Sequence, residues 1–470
     1  MPSDRYDVAI VGAGIVGLAV AREVTLRRPG ARVLVVDKEP AVAQHQTGHN
    51  SGVIHAGVYY APGSLKARLC VRGARLMYAY CEQNAIPVER CGKLIVAVRD
   101  DELPRLADLE ARGRANGVPG LRRVGPAEIG EIEPECRGVA GLHSPATGIV
   151  DFAAVARAIE RELRGLGVEF ALGCEVTAIR REPGTARLPP AAARPAPPAR
   201  PTTVLVHAGG SFRADWAIVC AGLWSDRLAV SAGAPADPRV VPFRGAYLRL
   251  AAGQPPVVRG MVYPVPDPAL PFLGVHITRQ IDGSVLLGPT ALLVAARNGY
   301  RREPAAPADV GKTPRDARAT TREAVRGTWE TTRETARDAR ETLRDARETL
   351  RDARETLRDA RETLSWPGTW TVARTFWRTG LTELAMAISR RLFVEKCAQY
   401  VPAIASMRMD PRATSGVRAQ AVGRDGRLVD DFAISQTPGA THLRNAPSPA
   451  ATSSFALASQ IVDEFEAASA

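Results

Sequence analysis

Two short stretches concentrate the residue types that can do chemistry. VAIVGAGIVG (residues 8–17) carries glycines at positions 12, 14 and 17. HQTGHNSGVIHAGVYY (residues 45–60) carries three of the chain's seven histidines, His45, His49 and His55, among glycines and small polar residues. A GxGxxG pattern alone is a weak signal. Here it follows a short β-branched apolar run and opens a helical one, and Asp37 ends the next strand-like run; together these make a dinucleotide-binding fingerprint. Gly12 permits the tight turn, Gly14 lets the backbone approach a pyrophosphate, and Gly17 lets helix and strand pack closely. The helix N-terminus turns free N–H groups and a partial positive charge towards the diphosphate. Asp37 can accept hydrogen bonds from the adenosine ribose, and Lys38 beside it joins the cofactor set.

The histidine-rich stretch admits three readings: a metal site, a cofactor-binding turn, or a loop carrying a catalytic base. Ligation by His45 and His49 needs a helix to converge them, and Gly48 with Asn50–Ser51–Gly52 argues for a turn instead. No Cys or Asp/Glu cluster stands nearby to complete a zinc shell, so no metal is expected. A cofactor loop fits better. Gln46, Thr47, Asn50, Ser51 and Gly52 offer donors suited to a diphosphate, a ribitol chain and a flavin edge.

The elements that must position these residues begin with a βαβ unit: strand-like Tyr6–Val11, helical Ile15–Leu26 and strand-like Arg32–Val36. A flavoprotein of this type returns to its nucleotide-binding unit late in the chain, which an NAD dehydrogenase does not need to do. DWAIVCAGLWSD (215–226) has that character, an apolar strand running into Ala221–Gly222. So does THLRNAPSPAATSS (441–454), whose small residues around Ala446, Pro447 and Ser448 let a helix N-terminus approach a flavin ring. Val176, in the strand-like CEVTAIRR, is counted with the cofactor set. These segments favour FAD.

Two segments read as insertions. Residues 183–203, PGTARLPPAAARPAPPARPTT, suit neither helix nor strand interior and predict an expanded, partly polyproline-like loop between two strands. Residues 301–365 predict a long heptad-repeat helix, with 337–364 forming four perfect copies of RDARETL. Leu343, Leu350 and Leu357 alternate with Ala346, Ala353 and Ala360 as an a/d stripe. One reading is a coiled-coil arm for oligomers or a partner. Alanine at every second seam position makes that seam weak and favours a solvated helix that touches little. Beyond it, Trp370, Trp377, Leu381, Leu384 and Ile388 fall near one helical face, with Arg374, Arg378, Arg390 and Arg391 nearby. A basic aromatic helix can lie on an anionic membrane; such a stripe more often packs on its own domain.

Composition bounds the remaining classes. The 470 residues leave ample material for a core. The net charge of +12 can attract nucleic acid, but no zinc-finger spacing, RNP motif or helix-turn-helix pattern accompanies it, so no nucleic-acid partner is expected. There is no run of about 18 uncharged apolar residues, and the N-terminus lacks the zones of a signal peptide. The seven cysteines are scattered without a CxxC, which suggests no disulfide framework. The expected location is a reducing cytoplasm, with peripheral contact at the inner face of the membrane as its variant.

HQTGHNSGVIHAGVYYAPGSLKA, PFRGAYLRL, YPVPDPALPFLGVHITRQIDGSVLLGP, GVRAQAV and NAPSPAATSS extend the pattern over about residues 5–300 and 366–465. With these the sequence resembles the FAD-dependent L-2-hydroxyglutarate dehydrogenases/oxidases, within the wider glycine oxidase and D-amino-acid oxidase superfamily. The resemblance implies an α/β, two-part flavoprotein. A Rossmann-like FAD-binding domain is expected over 1–75, 150–235 and 405–470. An antiparallel-sheet substrate domain is expected over 76–149, 236–300 and 366–404. The implied reaction is oxidation of the dicarboxylate L-2-hydroxyglutarate to 2-oxoglutarate, by hydride transfer from C2 to flavin N5. A quinone, another electron carrier or oxygen then reoxidises the flavin.

That chemistry also needs a base for the substrate hydroxyl proton. His55 lies just beyond the cofactor turn, and an imidazole suits the task near neutral pH. Related flavoenzymes that oxidise glycerol 3-phosphate carry a similar IHGG-type segment here. His276, in FLGVHITR, is the rival. Arg418, in SGVRAQAV, occupies a position similar to the superfamily's carboxylate-binding arginine, where its planar fork can pair bidentately with C1. Arg244, Arg279 and Lys66 are candidates for the distal carboxylate, and Tyr59, Tyr60 and Tyr263 for hydrogen bonds to substrate. Two alternatives remain: a related flavin oxidase acting on another 2-hydroxy acid or an amine, and a non-enzymatic assembly or membrane adaptor. The intact Gly12/Gly14/Gly17/Asp37 set argues against the second.

Overall fold

β1 (Arg5–Val11) is buried from Val8 onward and stands near the middle of an eight-stranded sheet. A continuous apolar run of this kind suits a parallel strand covered on both faces. β2 (Val33–Val36) pairs parallel on one side of it and the strand Gly210–Val219 parallel on the other. Glu169–Ala171 and Ala440–Asn445 extend the sheet, also in parallel. Successive residues point to opposite faces. Val8, Ile10, Val33 and Val35 therefore meet a helical layer: α1 (Ile15–Arg27), α2 (Leu65–Gln83), Phe152–Gly165 and Ala450–Ser469. Ala9, Val11, Leu34 and Val36 meet the antiparallel hairpin Val176–Glu182/Thr202–His207. The Pro/Ala-rich stretch thus joins two paired strands, as expected.

The computed structural model describes residues 5–183, 201–267, 273–298, 300, 353–410 and 414–469. Most of the Pro/Ala-rich loop and residues 301–352 of the repeat insertion lie outside these.

Among the described residues a second sheet has nine strands. Its pairings are antiparallel except one: Met261–Pro264 runs parallel to Lys93–Ala97. This corrects the expected antiparallel sheet. No hairpin joins these two strands; the chain passes through the first sheet between them, and such an excursion lets strands align in parallel. The expected boundary at residue 405 is corrected too. Thr414–Val422 belongs to the second sheet, paired with Arg239–Arg249 from Arg239 opposite Val422 to Tyr247 opposite Thr414. The first segment also runs past residue 75, because α2 continues to Gln83 against Ala450–Ser469. Gly73 sits at that crossing, where a Cβ would lie 2.6 Å from the Ser453 Cα.

Residues 353–365 are helical. Leu357 is 71 % exposed, whereas Asp359 is 1 % exposed. This end of the insertion therefore docks by its polar side, which corrects the expectation of a helix that touches little. The next three helices, Pro367–Thr375, Trp377–Ile388 and Arg390–Ala398, bury Val372, Met386, Phe393 and Cys397. They leave Trp370, Trp377, Leu381, Leu384 and Ile388 exposed, so the stripe expected to pack on its own domain faces outward. Among the described residues no helix is long and apolar enough to cross a membrane.

Candidate active site

The fingerprint glycines are forced by close backbone approach. Gly12 has φ +112°, and a Cβ there would lie 2.4 Å from the Cys220 carbonyl oxygen. At Gly17 a Cβ would lie 1.9 Å from the Gly12 carbonyl oxygen. Gly14 is the N-cap of α1 and supplies no side-chain cap of its own; a Cβ there would lie 3.3 Å from Thr47 Oγ1. The Ile15 N–H donates to Thr47 Oγ1 (3.0 Å), which ties the 45–52 turn to that end. Asp37 accepts from the N–H groups of Ala13 (2.6 Å) and Glu39 (2.9 Å). Gly12, Gly14, Gly17, Asp37 and Thr47 line one cavity with Lys38, Gln46, Val176, Gly222 and Ala446. A glycine-capped helix N-terminus beside a carboxylate that follows a parallel strand fits the adenosine diphosphate half of FAD.

A second cavity adjoins the first, and Gln46, Ala419, Ala446, Ala450 and Ala451 line both. Its wall brings together Asn50, Ser51, His55, Tyr59, Tyr60, Lys66, Tyr263, His276, Arg418, Pro447 and Ser448. Three expected residues do not line either cavity. Gly52 turns the chain at φ +66°, and a Cβ there would lie 2.8 Å from the Val150 carbonyl oxygen. Arg244 sits in register with Val417 inside the second sheet. Arg279 is committed elsewhere, donating to Glu89 (2.7 Å) and to the Arg259 carbonyl (3.0 Å). Sequence spacing carried no record of these pairings.

The 45–50 stretch is turn and bend rather than helix. His45 Nε2 pairs with Glu39 (2.8 Å), and His49 Nδ1 bonds the His45 carbonyl (3.0 Å) while its ring lies 4.4 Å from that of Tyr300. They do not converge as a chelate.

His55 follows the two-residue strand Val53–Ile54, and the Thr452 hydroxyl accepts from its backbone N–H (3.1 Å). Its Nδ1 is buried with no partner among the described residues, and Nε2 stands 3.5 Å from Ser448 Oγ. Burial, reinforced by Lys93 and His276, holds its pKa well below the usual histidine value. His276 Nδ1 lies 2.8 Å from the Gly274 carbonyl. A carbonyl only accepts, so Nδ1 carries the proton and Nε2 keeps its lone pair. Burial pushes the His276 pKa down to about 3, with Arg418 and Lys93 acting in the same direction and the Gly274 bond opposing. Both imidazoles are therefore neutral near pH 7 and able to accept a proton.

Sequence reasoning missed Lys93. It opens the fully buried strand Lys93–Ala97 and is 2 % exposed. Its Nζ lies 4.2 Å from the Tyr263 ring centroid and 5.1 Å from that of Tyr59. Burial lowers its pKa to about 7, opposed by Cys70 and Cys91. The signal was present as a lone charge at the head of the apolar run LIVAV. Tyr247 was missed as well. Burial raises its hydroxyl pKa, and a hydrogen bond with Arg418 opposes that rise. The Tyr59 hydroxyl is buried without a partner among the described residues. Lys66 Nζ reaches the Asp430 carboxylate at 2.9 Å, on the cavity rim.

A nucleotide cradle that opens onto a cavity lined by neutral imidazoles and by the guanidinium groups of Arg105, Arg112 and Arg418 fits a flavin-dependent oxidoreductase. The sequence model of the family described as "FAD dependent oxidoreductase" matches residues 7–384. The chain is 41 % identical to L-2-hydroxyglutarate dehydrogenase of Nematostella vectensis, over 98 % of this chain and 91 % of that protein. It is 39 % identical to the human enzyme (99 % and 89 %) and 35 % identical to that of Indibacter alkaliphilus (97 % and 98 %). The chain belongs to the L-2-hydroxyglutarate dehydrogenase family of FAD-dependent oxidoreductases. Among solved structures, its fold is similar to FAD-bound L-α-glycerophosphate oxidase of Mycoplasma pneumoniae, with a TM-score of 0.67 at 21 % identity over 98 % and 95 % of the two chains. It is also similar to glycine oxidase of Geobacillus kaustophilus, with a TM-score of 0.65 at 18 % identity over 98 % and 95 %.

Proposed function

We infer that this protein oxidises L-2-hydroxyglutarate to 2-oxoglutarate with FAD as its cofactor. The observation that carries the reading is the meeting of His55, His276 and Arg418 in one cavity that opens onto the cofactor cradle. When bound, FAD supplies the hydride acceptor. The chain's own residues bind and deprotonate. Arg418, held by the second sheet and by Tyr247, pairs with the C1 carboxylate and fixes C2 in place. The Tyr59 hydroxyl donates to a substrate oxygen, and Lys66 on the rim meets the distal carboxylate. His55 takes the hydroxyl proton. His276 is the second candidate for that role, favoured by a tautomer that leaves Nε2 as acceptor.

The reading extends to a membrane quinone as electron acceptor, with oxygen the alternative. Its support is the outward stripe of Trp370, Trp377, Leu381 and Ile388, beside exposed Arg374, Arg378, Arg390 and Arg391. Aromatic and aliphatic side chains among cations suit the interface of an anionic bilayer. Exposed Leu357 and Leu364 leave the a/d stripe open to a second copy, which supports pairing through the repeats.

The test is anaerobic titration of the purified protein with L- and D-2-hydroxyglutarate while following flavin absorbance. The L enantiomer bleaches the flavin band and the D enantiomer does not. A yellow protein that L-2-hydroxyglutarate leaves unbleached overturns the substrate. Faster bleaching by an amine or another 2-hydroxy acid moves the reading to that substrate.

A further inference from the structure

Helix 353–365 carries the end of the RDARETL repeat and meets the body of the protein with three carboxylates. Glu355 accepts from Trp224 Nε1 (3.3 Å) and Asn298 Nδ2 (3.1 Å). Asp359 accepts from the Arg297 backbone N–H (2.7 Å) and from the Arg227 guanidinium. Glu362 accepts from Arg227 Nε (2.7 Å). Spacings of four and then three place all three on one helical face, opposite Leu357 and Leu364. The repeat therefore docks through its acids, and its heptad leucines point away.

The receiving residues are also the wall of the cofactor cradle. Trp224 and Arg227 line that cavity, as does Arg358 of the helix itself. On its other side the Trp224 indole meets the loop after β2: Lys38 Nζ lies 4.1 Å from its ring centroid, and the His45 ring meets it edge-on at 4.9 Å. Lys38 follows Asp37, the expected ribose acceptor, so this is the adenosine end.

We propose that the docked repeat helix is a retaining wall for FAD, fixing Trp224 and Arg227 against the adenosine end through Glu355, Asp359 and Glu362. Asp359 is nearly fully buried, and a buried carboxylate is tolerated only while its partners are in place. The helix is thus seated only when the cradle wall is assembled. Linkage makes the effect mutual: a cofactor held by this wall strengthens docking by the factor by which docking strengthens cofactor binding. The copies are identical, so the same acidic triplet recurs at Glu348, Asp352 and Glu355. The docking chemistry belongs to the repeat unit itself.

The proposal rests on FAD being the cofactor, which the visible spectrum of the purified protein checks first. Two measurements then follow. FAD release from the holoenzyme, read as recovered flavin fluorescence, is expected to be about ten-fold faster in the Asp359→Asn/Glu362→Gln double variant, since the charge-assisted bonds that seat the helix are weakened. The Leu357→Ser/Leu364→Ser variant keeps the wild-type release rate. In the wild-type protein, trypsin cuts after Arg354, Arg358 and Arg361 more slowly with FAD bound than in the apoprotein. Release at the wild-type rate from the acidic variant, or equally fast release from the leucine variant, overturns the proposal. Should the acidic variant fail to fold, the proteolysis decides alone: equal cleavage of holo and apo protein overturns it.

Discussion

The Lys93 ammonium lies 4.2 Å from the ring centroid of Tyr263, inside the protein, and no ion pair among the described residues holds it. The imidazole of His276 stacks on the same tyrosine, with ring centroids 4.0 Å apart and planes inclined by 20°. A buried cation on an aromatic face raises the cost of a second positive charge nearby. Burial is the main cause that keeps the two histidines unprotonated, and the lysine's charge acts in the same direction.

This arrangement sets a direction for pH dependence. The titratable groups around Lys93 are Tyr59, Tyr263, Cys70, Cys91, His55 and His276. An imidazole accepts a proton only in its neutral form, so flavin reduction falls as pH drops through the pKa of the base. Lys93→Met removes a repelling charge and raises that pKa, so the acid limb of the reduction rate moves to higher pH. Lys93→Arg keeps the charge and the wild-type limb. Coincident profiles for Lys93→Met and wild type would show that the lysine only packs.

The two imidazoles are separated by mutation. His55→Ala is expected to slow flavin reduction by roughly 10²–10⁴-fold, the usual worth of a general base. FAD occupancy is checked by absorbance, because His55 lines the cavity that adjoins the cofactor cradle. If His276→Ala shows the larger loss while His55→Ala reduces its flavin at the wild-type rate, the base is His276.

Arg418 is tested by a substitution that keeps its charge. Arg418→Lys replaces a planar fork with a point charge and loses the geometry that holds C2. Turnover is expected to fall along with affinity in a steady-state assay. A raised KM with unchanged kcat would mean that the arginine only binds.

The cradle itself has a severe test. The Cβ introduced by Gly17→Ala would lie 1.9 Å from the Gly12 carbonyl oxygen, so the βα turn must shift. The variant is expected to purify without yellow colour and to lose stability by about 1–3 kcal/mol or more, read by thermal melting. Retention of full FAD stoichiometry would show that the turn yields without losing the diphosphate.

The outward stripe is tested with lipid. Trp377→Ser/Ile388→Ser is expected to lower co-sedimentation with phosphatidylserine-containing vesicles and to leave flavin reduction by substrate intact. Wild-type protein that remains in the supernatant with such vesicles ends the membrane reading.

The nucleotide-binding unit was legible in the sequence because its constraints are local. β1, α1 and β2 form within a few residues of where hydrophobic periodicity puts them, and the glycine positions follow from contacts inside one βα turn. The 45–52 turn, the return strand Gly210–Val219 and the small residues at 446–448 were readable for the same reason. Local motifs of this kind are enough to name the cofactor. Long-range register was not readable. Only pairing with Arg239–Arg249 carries Arg418 into the second sheet, and only the ion pair with Glu89 withdraws Arg279 from the cavity. Burial was equally hidden: nothing in CGKLIVAV says that the lysine ends against two tyrosines. The repeat is the clearest case. Its sequence presents a leucine stripe and an acidic stripe on opposite faces, and either can serve as an interface. Tertiary structure chose the acids, because the surface they meet offers two guanidinium groups and an indole N–H rather than apolar side chains.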